Sequence, residues 1–162
     1  MFNLKVEFYL KLIFIISFVS IITAFFIEYI LGYQPCNLCL IERIPYGLSI
    51  ILIIINYITK INKIFIILLL ILVYIFSFTI SVYHFGIEQG YFEESAVCGL
   101  KNAANIISKE EILIQLSKQT ISCKDVTFRI FGLSLTSINI IVSLIIIIMS
   151  IKAYTKYEKN KS

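Results

Sequence analysis

Charged residues are scarce in this sequence. Aspartate, glutamate, lysine and arginine make up 15% of the 162 residues, whereas hydrophobic residues make up 59%. Soluble globular domains average about 25% charged and roughly 45–50% apolar residues. No Gly-rich phosphate loop, catalytic Ser-His arrangement or internal repeat stands out either. The composition therefore excludes an ordinary soluble domain and indicates a membrane protein.

Four long apolar stretches predict membrane-spanning helices. A helix needs roughly 20 apolar residues to cross a hydrocarbon core about 30 Å thick. No small-residue cleavage site follows the first stretch, so we expect an uncleaved span rather than a signal peptide. The predicted fold is an all-α membrane protein, a four-transmembrane-helix bundle that forms a single integral-membrane domain over residues 1–162. The expected spans are about 12–31, 38–58, 64–83 and 130–151, with outer loops at about 32–37 and 85–129.

The placement of the lysines predicts the orientation. They cluster at the N-terminus, in the short turn after the second span and in the C-terminal tail, which all fall on one side of a four-span protein: Lys5, Lys11, Lys60, Lys63, Lys152, Lys156, Lys159 and Lys161. The positive-inside rule then puts both termini in the cytoplasm and both outer loops outside. The basic tail is explained by topology, so we expect no nucleic-acid partner.

All four cysteines lie in the two outer segments. Cys36 and Cys39 form a C-x-x-C motif, and Cys98 and Cys123 are 25 residues apart. An even number of cysteines in an oxidising compartment suggests two disulfides. A ring as small as C-x-x-C is a poor staple, but its thiols exchange readily, whereas the second pair could staple a loop. Two other interpretations stay open: both pairs are structural disulfides, or the four thiolates hold a metal, although the second pair lacks the usual knuckle spacing.

The residues that follow the motif suggest a redox site at lipid level. Pro35 precedes it, so the second helix is expected to begin within the motif, with Cys39 in the first turn where the helix dipole favours a thiolate. Arg43 shares a helix face with Cys39 about one turn inside the membrane boundary, where a charge is costly and commonly functional. This combination suits a redox-active lipophilic ligand. Alternatively, Glu42 and Arg43 only anchor the helix at the interface.

Other polar residues near the outer membrane boundary could also either contact a ligand or lie at the interface without a specific role. His84 ends the third expected span, where it would either hydrogen-bond a carbonyl of such a ligand or act as an ordinary interfacial histidine. Glu28, near the end of the first span, and Glu88 are similar: each would either contact such a ligand or be an ordinary interfacial or solvated group. In the second outer loop, Ser108 and Glu111 form a capping box that predicts a short amphipathic helix on the membrane surface or against the bundle.

Three segments resemble the DsbB family of disulfide-bond-formation proteins. Residues 34–43, which read QPCNLCLIER, resemble its first outer loop. Residues 83–90 resemble the end of its third span in many short members. Residues 123–125 and 128–134 resemble the run from its last cysteine into the fourth span. The order of span, P-C-x-x-C-x-x-E-R, two spans, Cys…Cys and span covers nearly the whole chain.

The resemblance implies a thiol oxidase of the bacterial inner membrane. It would reoxidise a periplasmic DsbA-like oxidase of thioredoxin fold and pass the electrons to a membrane quinone, ubiquinone or menaquinone. Cys98 would be attacked by the partner's dithiol, and Cys123 would leave and exchange with Cys36. Cys39 would be the thiolate beside the quinone, next to Arg43.

Two hypotheses from other classes stand beside this enzyme. One is a quinone-linked oxidoreductase like vitamin K epoxide reductase, a family that tends to place its C-x-x-C late in the chain rather than early. The other is a non-catalytic membrane protein with two structural disulfides.

Overall fold

Four long helices dominate the fold. The computed structural model describes residues 3–59, 62–94, 98, 122–124, 128–130 and 132–159. The helices are α1 (Asn3–Phe25), which runs into a π-helical turn (Phe26–Ile30), α2 (Asn37–Thr59), α3 (Lys63–Glu88) and α4 (Leu135–Lys159). All four are long and apolar enough to cross a bilayer. The chain is a multi-pass membrane protein, and the predicted four-helix bundle is confirmed.

The helices pack in a ring around a shared core. Each helix packs against the next one along the chain, and α1 closes the ring against α4. Large apolar side chains also cover the outside of the bundle, for example Tyr29, Ile58 and Leu72, which are 74%, 75% and 63% exposed. An outer surface of this kind fits hydrocarbon rather than water. The core itself is built from Val6, Leu10, Ile13, Tyr46, Ile53, Ile66, Ile67, Leu70, Tyr74, Ile146 and Ala153.

Buried hydroxyl groups in this core are hydrogen-bonded to one another. The Tyr74 hydroxyl lies 2.7 Å from Ser17 Oγ and 3.0 Å from Ser49 Oγ. Ser17 also donates to the carbonyl of Ile13, at 2.7 Å. Because an unpaired polar group in an apolar interior is costly, these bonds let polar residues join three helices at the bundle centre.

The first turn of α2 is capped by a cysteine. The Cys36 carbonyl accepts from the backbone N–H of Leu40 at 3.2 Å, and Cys36 Sγ accepts from the N–H of Cys39 at 3.3 Å. Cys36 therefore occupies the position that Ser, Thr or Asp takes at most helix starts, with its sulfur as the capping atom. The helix dipole consequently acts on Cys36 as well as on Cys39.

Helix α3 extends one turn beyond the span expected from the sequence. It ends at Glu88 rather than near Tyr83, in a Schellman motif around Gly90, whose φ is +79°. The N–H of Tyr91 donates to the carbonyl of Gly86 at 2.8 Å, and the N–H of Gly90 donates to that of Ile87 at 3.0 Å. The expected loop start at residue 85 is therefore wrong, and Glu88 belongs to the bundle.

Helix α4 begins five residues later than the expected span at Ile130. A short antiparallel hairpin precedes it, formed by β1 (Arg129–Ile130) and β2 (Leu133–Ser134). Gly132, at φ +83°, takes the left-handed conformation in the turn and prevents a continuous helix. Ser134 then caps the helix by accepting from the N–H of Ser137 at 3.2 Å. The predicted amphipathic helix near Ser108 lies outside the described residues.

Candidate functional site

The two cysteine pairs lie together in one buried cluster. Cys98 and Cys123 form a disulfide with a Cα–Cα distance of 5.4 Å. Cys36 and Cys39 are thiols whose sulfur atoms lie 2.9 Å apart. Cys36, Cys98 and Cys123 are all buried, and they pack with Leu38 of α2 and Ile87 of α3. The fold thus brings a thiol pair and a disulfide from distant parts of the chain to the same place.

A glutamate holds the segment around Cys123 in position. The Glu94 carboxylate accepts from the Ser122 hydroxyl and, at 3.1 Å, from the backbone N–H of Lys124. These bonds fix the residues on both sides of Cys123 to the chain that leaves α3. Both the packing of the sulfur atoms and the hydrogen bonds of Glu94 therefore set the position of the disulfide relative to the C-x-x-C motif.

A histidine and a glutamate lie directly behind the thiol pair. His84 Nε2 is 3.5 Å from Cys36 Sγ, and His84 Nδ1 is 2.9 Å from Glu42 Oε1. The two residues are 1% and 8% exposed. Because a carboxylate only accepts hydrogen bonds, Nδ1 carries the hydrogen of the neutral imidazole, and Nε2 faces the thiol with its lone pair. This arrangement resembles the base and orienting acid of enzymes with a cysteine nucleophile.

Further polar side chains from α3 and α4 surround this pair. Asn139 Nδ2 donates to Glu42 Oε2 at 3.0 Å and to Ser81 Oγ at 2.7 Å. Thr136 Oγ1 lies 3.3 Å from His84 Nδ1 and donates to Glu88 Oε1 at 2.5 Å. A polar network of this extent inside an apolar bundle is costly unless its members are paired, and such groups in membranes are usually functional.

The environment of Cys36 favours its thiolate. Hydrogen bonding with Cys39 and with His84 lowers the pKa of the Cys36 thiol from 9.0 to about 4, against the opposing effect of burial. Since the thiolate is the reactive form of a cysteine, this sulfur is suited to nucleophilic exchange. The sequence had directed attention to a thiolate at Cys39, whereas the hydrogen bonds of the structure converge on Cys36.

Arg43 is held by an ion pair at the same level of the bundle. Its guanidinium donates to the carboxylate of Glu28, which lies in the π-helical turn, and stacks over the ring of Phe25 at 5.3 Å from the ring centre. Both charged side chains keep about one-fifth of their surface exposed. Glu28 is therefore an ion-pair partner of Arg43 rather than merely an interfacial or solvated group.

These groups border one cavity of about 280 Å³. Apolar side chains of α1, of the π-helical turn and of α4 line one part of it, among them Val19, Ala24, Ile27, Ile138 and Val142. The other part is lined by Cys36, Cys39, Glu42, Arg43, His84, Glu88, Cys123, Thr136 and Asn139. A mostly apolar wall with a few convergent polar groups is typical of cofactor and small-molecule sites. A flat, lipophilic ring with polar oxygens fits this donor set.

The same atoms also meet the simplest requirement of a metal site. The sulfur atoms of Cys36 and Cys39 and a nitrogen of His84 lie within 4.8 Å of one another. These three donors are ones that zinc accepts, in contrast to the four-cysteine arrangement considered from the sequence. Cys98 and Cys123 are joined in a disulfide and do not contribute thiolates.

Comparison with protein families shows which family the chain belongs to. The family model described as "Disulfide bond formation protein DsbB" matches residues 7–153. The chain belongs to the DsbB family. It is thus a membrane protein of disulfide-bond formation and a disulfide oxidoreductase.

One relative of this DsbB-family chain has been found among curated proteins. It is the uncharacterized protein RP370 of Rickettsia prowazekii (strain Madrid E), which is 34% identical over 136 residues, covering 82% of this chain and 78% of the relative. No solved structure matches the chain.

The structure brings together most of the residues that the sequence singled out. Cys36, Cys39, Cys123, Arg43 and His84 all line the cavity, and Cys98 is bonded to Cys123 behind it.

Sequence reasoning missed two further members of this DsbB-family site, Thr136 and Asn139, and it assigned no partner to Glu28 or Glu88. The available signal was that polar side chains inside apolar spans are rare and face the bundle interior. That signal gives no partner for any of them.

Proposed function

We propose that this protein is a quinone-linked thiol oxidase that reoxidises a DsbA-like periplasmic dithiol oxidase. The observation that carries the proposal is that a disulfide and a C-x-x-C thiol pair lie in one buried cluster at the edge of one apolar cavity. Two redox-active pairs in contact allow electrons to pass from an outside partner to a lipophilic acceptor by thiol exchange.

The exchange runs through the two pairs in order. A thiolate of the partner attacks Cys98, and Cys123 leaves as a thiolate. Cys123 attacks Cys36 of the oxidised motif, which releases Cys39. The partner's second thiol then attacks its own mixed disulfide and releases Cys98, and Cys98 attacks Cys123, which restores the Cys98–Cys123 disulfide and releases Cys36. The partner's dithiol ends oxidised and the C-x-x-C motif ends reduced, so two electrons have moved inward with no net change in disulfide number.

Arg43, Cys39 and His84 would hold a quinone, ubiquinone or menaquinone, in the cavity. When bound, it would supply the chemistry of a two-electron, two-proton acceptor. The guanidinium keeps donors beyond the one used by Glu28, and these would donate to a quinone oxygen. The apolar side chains of α1 and α4 exclude water from the ring.

We also propose the orientation and location. The protein lies in a bacterial inner membrane with both termini in the cytoplasm and both cysteine loops in the periplasm. Support comes from the basic residues, since Lys63, Lys152, Lys156 and Lys159 lie in the halves of α3 and α4 remote from the thiols. A membrane-impermeant maleimide applied to reduced spheroplasts should label Cys98 and Cys123. Labelling only after lysis would show the opposite orientation.

The proposed function is tested by quinone reduction with purified protein. Reduced thioredoxin-fold oxidase and quinone are mixed with the protein in lipid nanodiscs, and the loss of quinone absorbance is recorded. Cys39→Ser should abolish the reaction, whereas Thr79→Val, a lipid-side substitution in α3, should leave it unchanged. Wild-type turnover in Cys39→Ser would exclude the mechanism.

A further inference from the structure

A chain of buried polar atoms connects the Cys36 thiol with another part of the cavity wall. From Cys36 Sγ the contacts run 3.5 Å to His84 Nε2, then 3.3 Å from His84 Nδ1 to Thr136 Oγ1, and 2.5 Å from there to Glu88 Oε1. Glu42 adjoins the chain at His84 Nδ1, at 2.9 Å. His84 and Thr136 are 1% and 2% exposed, so bulk water does not compete for these bonds.

Each hydrogen bond in this series of polar atoms donates in the direction from Cys36 to Glu88. Nδ1 of His84 faces a carboxylate and therefore carries the hydrogen, which leaves Nε2 as the acceptor for the thiol. Thr136 donates its hydrogen to Glu88, so its oxygen accepts from His84 Nδ1. When His84 Nε2 gains a proton, His84 Nδ1 can therefore release one to the Thr136 hydroxyl, and no side chain has to change its rotamer.

The series of hydrogen-bonded atoms ends at Glu88, which lines the cavity. Its second carboxylate oxygen, Oε2, is buried and has no hydrogen-bond partner within the described part of the chain. Glu88 also lines the cavity together with Cys39. A buried carboxylate oxygen without a partner is costly, and a ligand in the cavity that exchanges a proton with it would remove that cost.

We propose that His84 is the general base for the Cys36 thiol, and that Thr136 and Glu88 carry the released proton to the quinone. Glu42 is a positioning residue, which fixes the tautomer of His84 and balances the charge of the imidazolium. This inference rests on the proposed function, because the quinone is the oxidant that takes up the protons.

The electrons and protons balance in this scheme. Oxidation of the two thiols releases two electrons and two protons, which is what conversion of a quinone to a quinol requires. The Cys36 S–H bond breaks, its proton goes to His84 Nε2, and the electron pair left on Cys36 forms the new bond to Cys39. Two electrons leave through Cys39, whose own proton enters the cavity directly. The second proton leaves His84 Nδ1 through the Thr136 hydroxyl to Glu88.

The same chain works in reverse when the motif is reduced again. The next exchange with Cys123 releases Cys36 as a thiolate, which takes the proton from His84 Nε2. The partner's two thiols release two protons in that exchange: one protonates Cys39, and the other returns to His84 Nδ1.

The charges around His84 support a base at this position. From α2 it faces Glu42 and the thiol pair at the helix start, and from its own helix it faces Glu88 through Thr136. The polar residues of α4 that reach this network, Thr136 and Asn139, are neutral. The titratable groups next to the imidazole are therefore acids, which stabilise its protonated form.

The first test measures the thiol itself, without quinone. In a Cys39→Ser background with the second pair oxidised, Cys36 is alkylated with iodoacetamide across a pH series. His84→Gln and the isosteric Glu42→Gln should each move the midpoint of this profile upward by about one pH unit or more. The Cys98–Cys123 disulfide, verified by mass spectrometry, reports that the variants are folded. An unchanged midpoint in both variants would overturn the role of His84.

The second test addresses the path beyond His84. In single-turnover quinone reduction, Thr136→Val and Glu88→Gln should each lower the rate by about 10²-fold, at the lower end of what general acid–base groups contribute. Thr136→Ser should restore it, because serine retains the hydroxyl, and the control Thr79→Val should match the wild type. Thr136→Val at the wild-type rate would overturn the path.

The two tests separate this inference from the proposed function. If the wild type reduces no quinone, the proposed function fails, and the alkylation profile still decides whether His84 acts on Cys36. If the wild type is active and Thr136→Val and Glu88→Gln are equally active, the function stands and the path through Thr136 is wrong.

Discussion

The ion pair between Arg43 and Glu28 is expected to set the affinity for quinone. The guanidinium donates to the carboxylate, and the two side chains are 19% and 20% exposed. Two unit charges in contact near a protein surface attract by about 4 kcal/mol, part of which desolvation offsets. Because one-fifth of each side chain remains exposed, we expect a coupling free energy of about 1–2 kcal/mol.

A double-mutant cycle measures this coupling. Glu28→Gln, Arg43→Ala and the double variant are compared by the KM for quinone and by thermal unfolding in nanodiscs. Loss of about 1.4 kcal/mol corresponds to a tenfold higher KM. We expect Arg43→Lys to be partly active, because lysine keeps the charge but loses the planar fork, and Arg43→Ala to be severely impaired.

A second ion pair provides the matched control for this cycle. Glu7 accepts from Lys63 at 2.7 Å near the starts of α1 and α3, away from the thiols. Glu7→Gln removes the same charge and should leave the KM for quinone unchanged. If the effects of Glu28→Gln and Arg43→Ala add within about 0.3–0.5 kcal/mol, the pair is not coupled and Arg43 is an interfacial anchor.

Three further predictions follow from the site. Hydrogen bonding with Cys39 and with His84 lowers the pKa of Cys36 to about 4, so the alkylation rate of Cys36 in the reduced protein should stay level down to about pH 5 and fall only below that pH. An alkylation rate that instead follows an ordinary thiol midpoint of about 8.5 would contradict this. Gly86→Ala should displace the Phe92 ring, which occupies the space of a Cβ at that position, and lower the melting temperature by several degrees, whereas a melting temperature equal to that of the wild type would refute the contact. Cys123→Ser should trap Cys98 in a mixed disulfide with the partner oxidase, visible on a non-reducing gel; failure to trap it would remove Cys98 from the exchange.

The sequence was sufficient to predict the spans and the position of the thiols. Twenty-residue apolar stretches follow directly from bilayer thickness, and the C-x-x-C motif after Pro35 predicted two thiols at a helix start. It did not predict that α4 starts at Leu135, although Ser134 with Ser137 three residues on was a usable capping signal. The general turn propensity of Gly132 gave no reason to expect a hairpin rather than a simple loop.

The pairing of polar residues could not be predicted for a different reason. Glu42 meets His84 and Asn139 across separations of 42 and 97 residues. Such contacts between helices depend on how each helix is rotated about its own axis. A soluble helix reveals that rotation by its apolar stripe, but a membrane helix such as α1 or α4 is apolar on nearly all sides. The rotation is then decided by packing and by the polar groups themselves.

The central claim is that electrons pass from a protein dithiol through this chain to a quinone. It is tested most directly by stoichiometry under anaerobic conditions, with the partner's thiols counted by alkylation and mass spectrometry and quinol measured by absorbance. The account predicts one quinol formed for each partner disulfide formed, and no reaction in Cys39→Ser. Partner oxidation without equivalent quinol, or quinol formation that persists in Cys39→Ser, would contradict it.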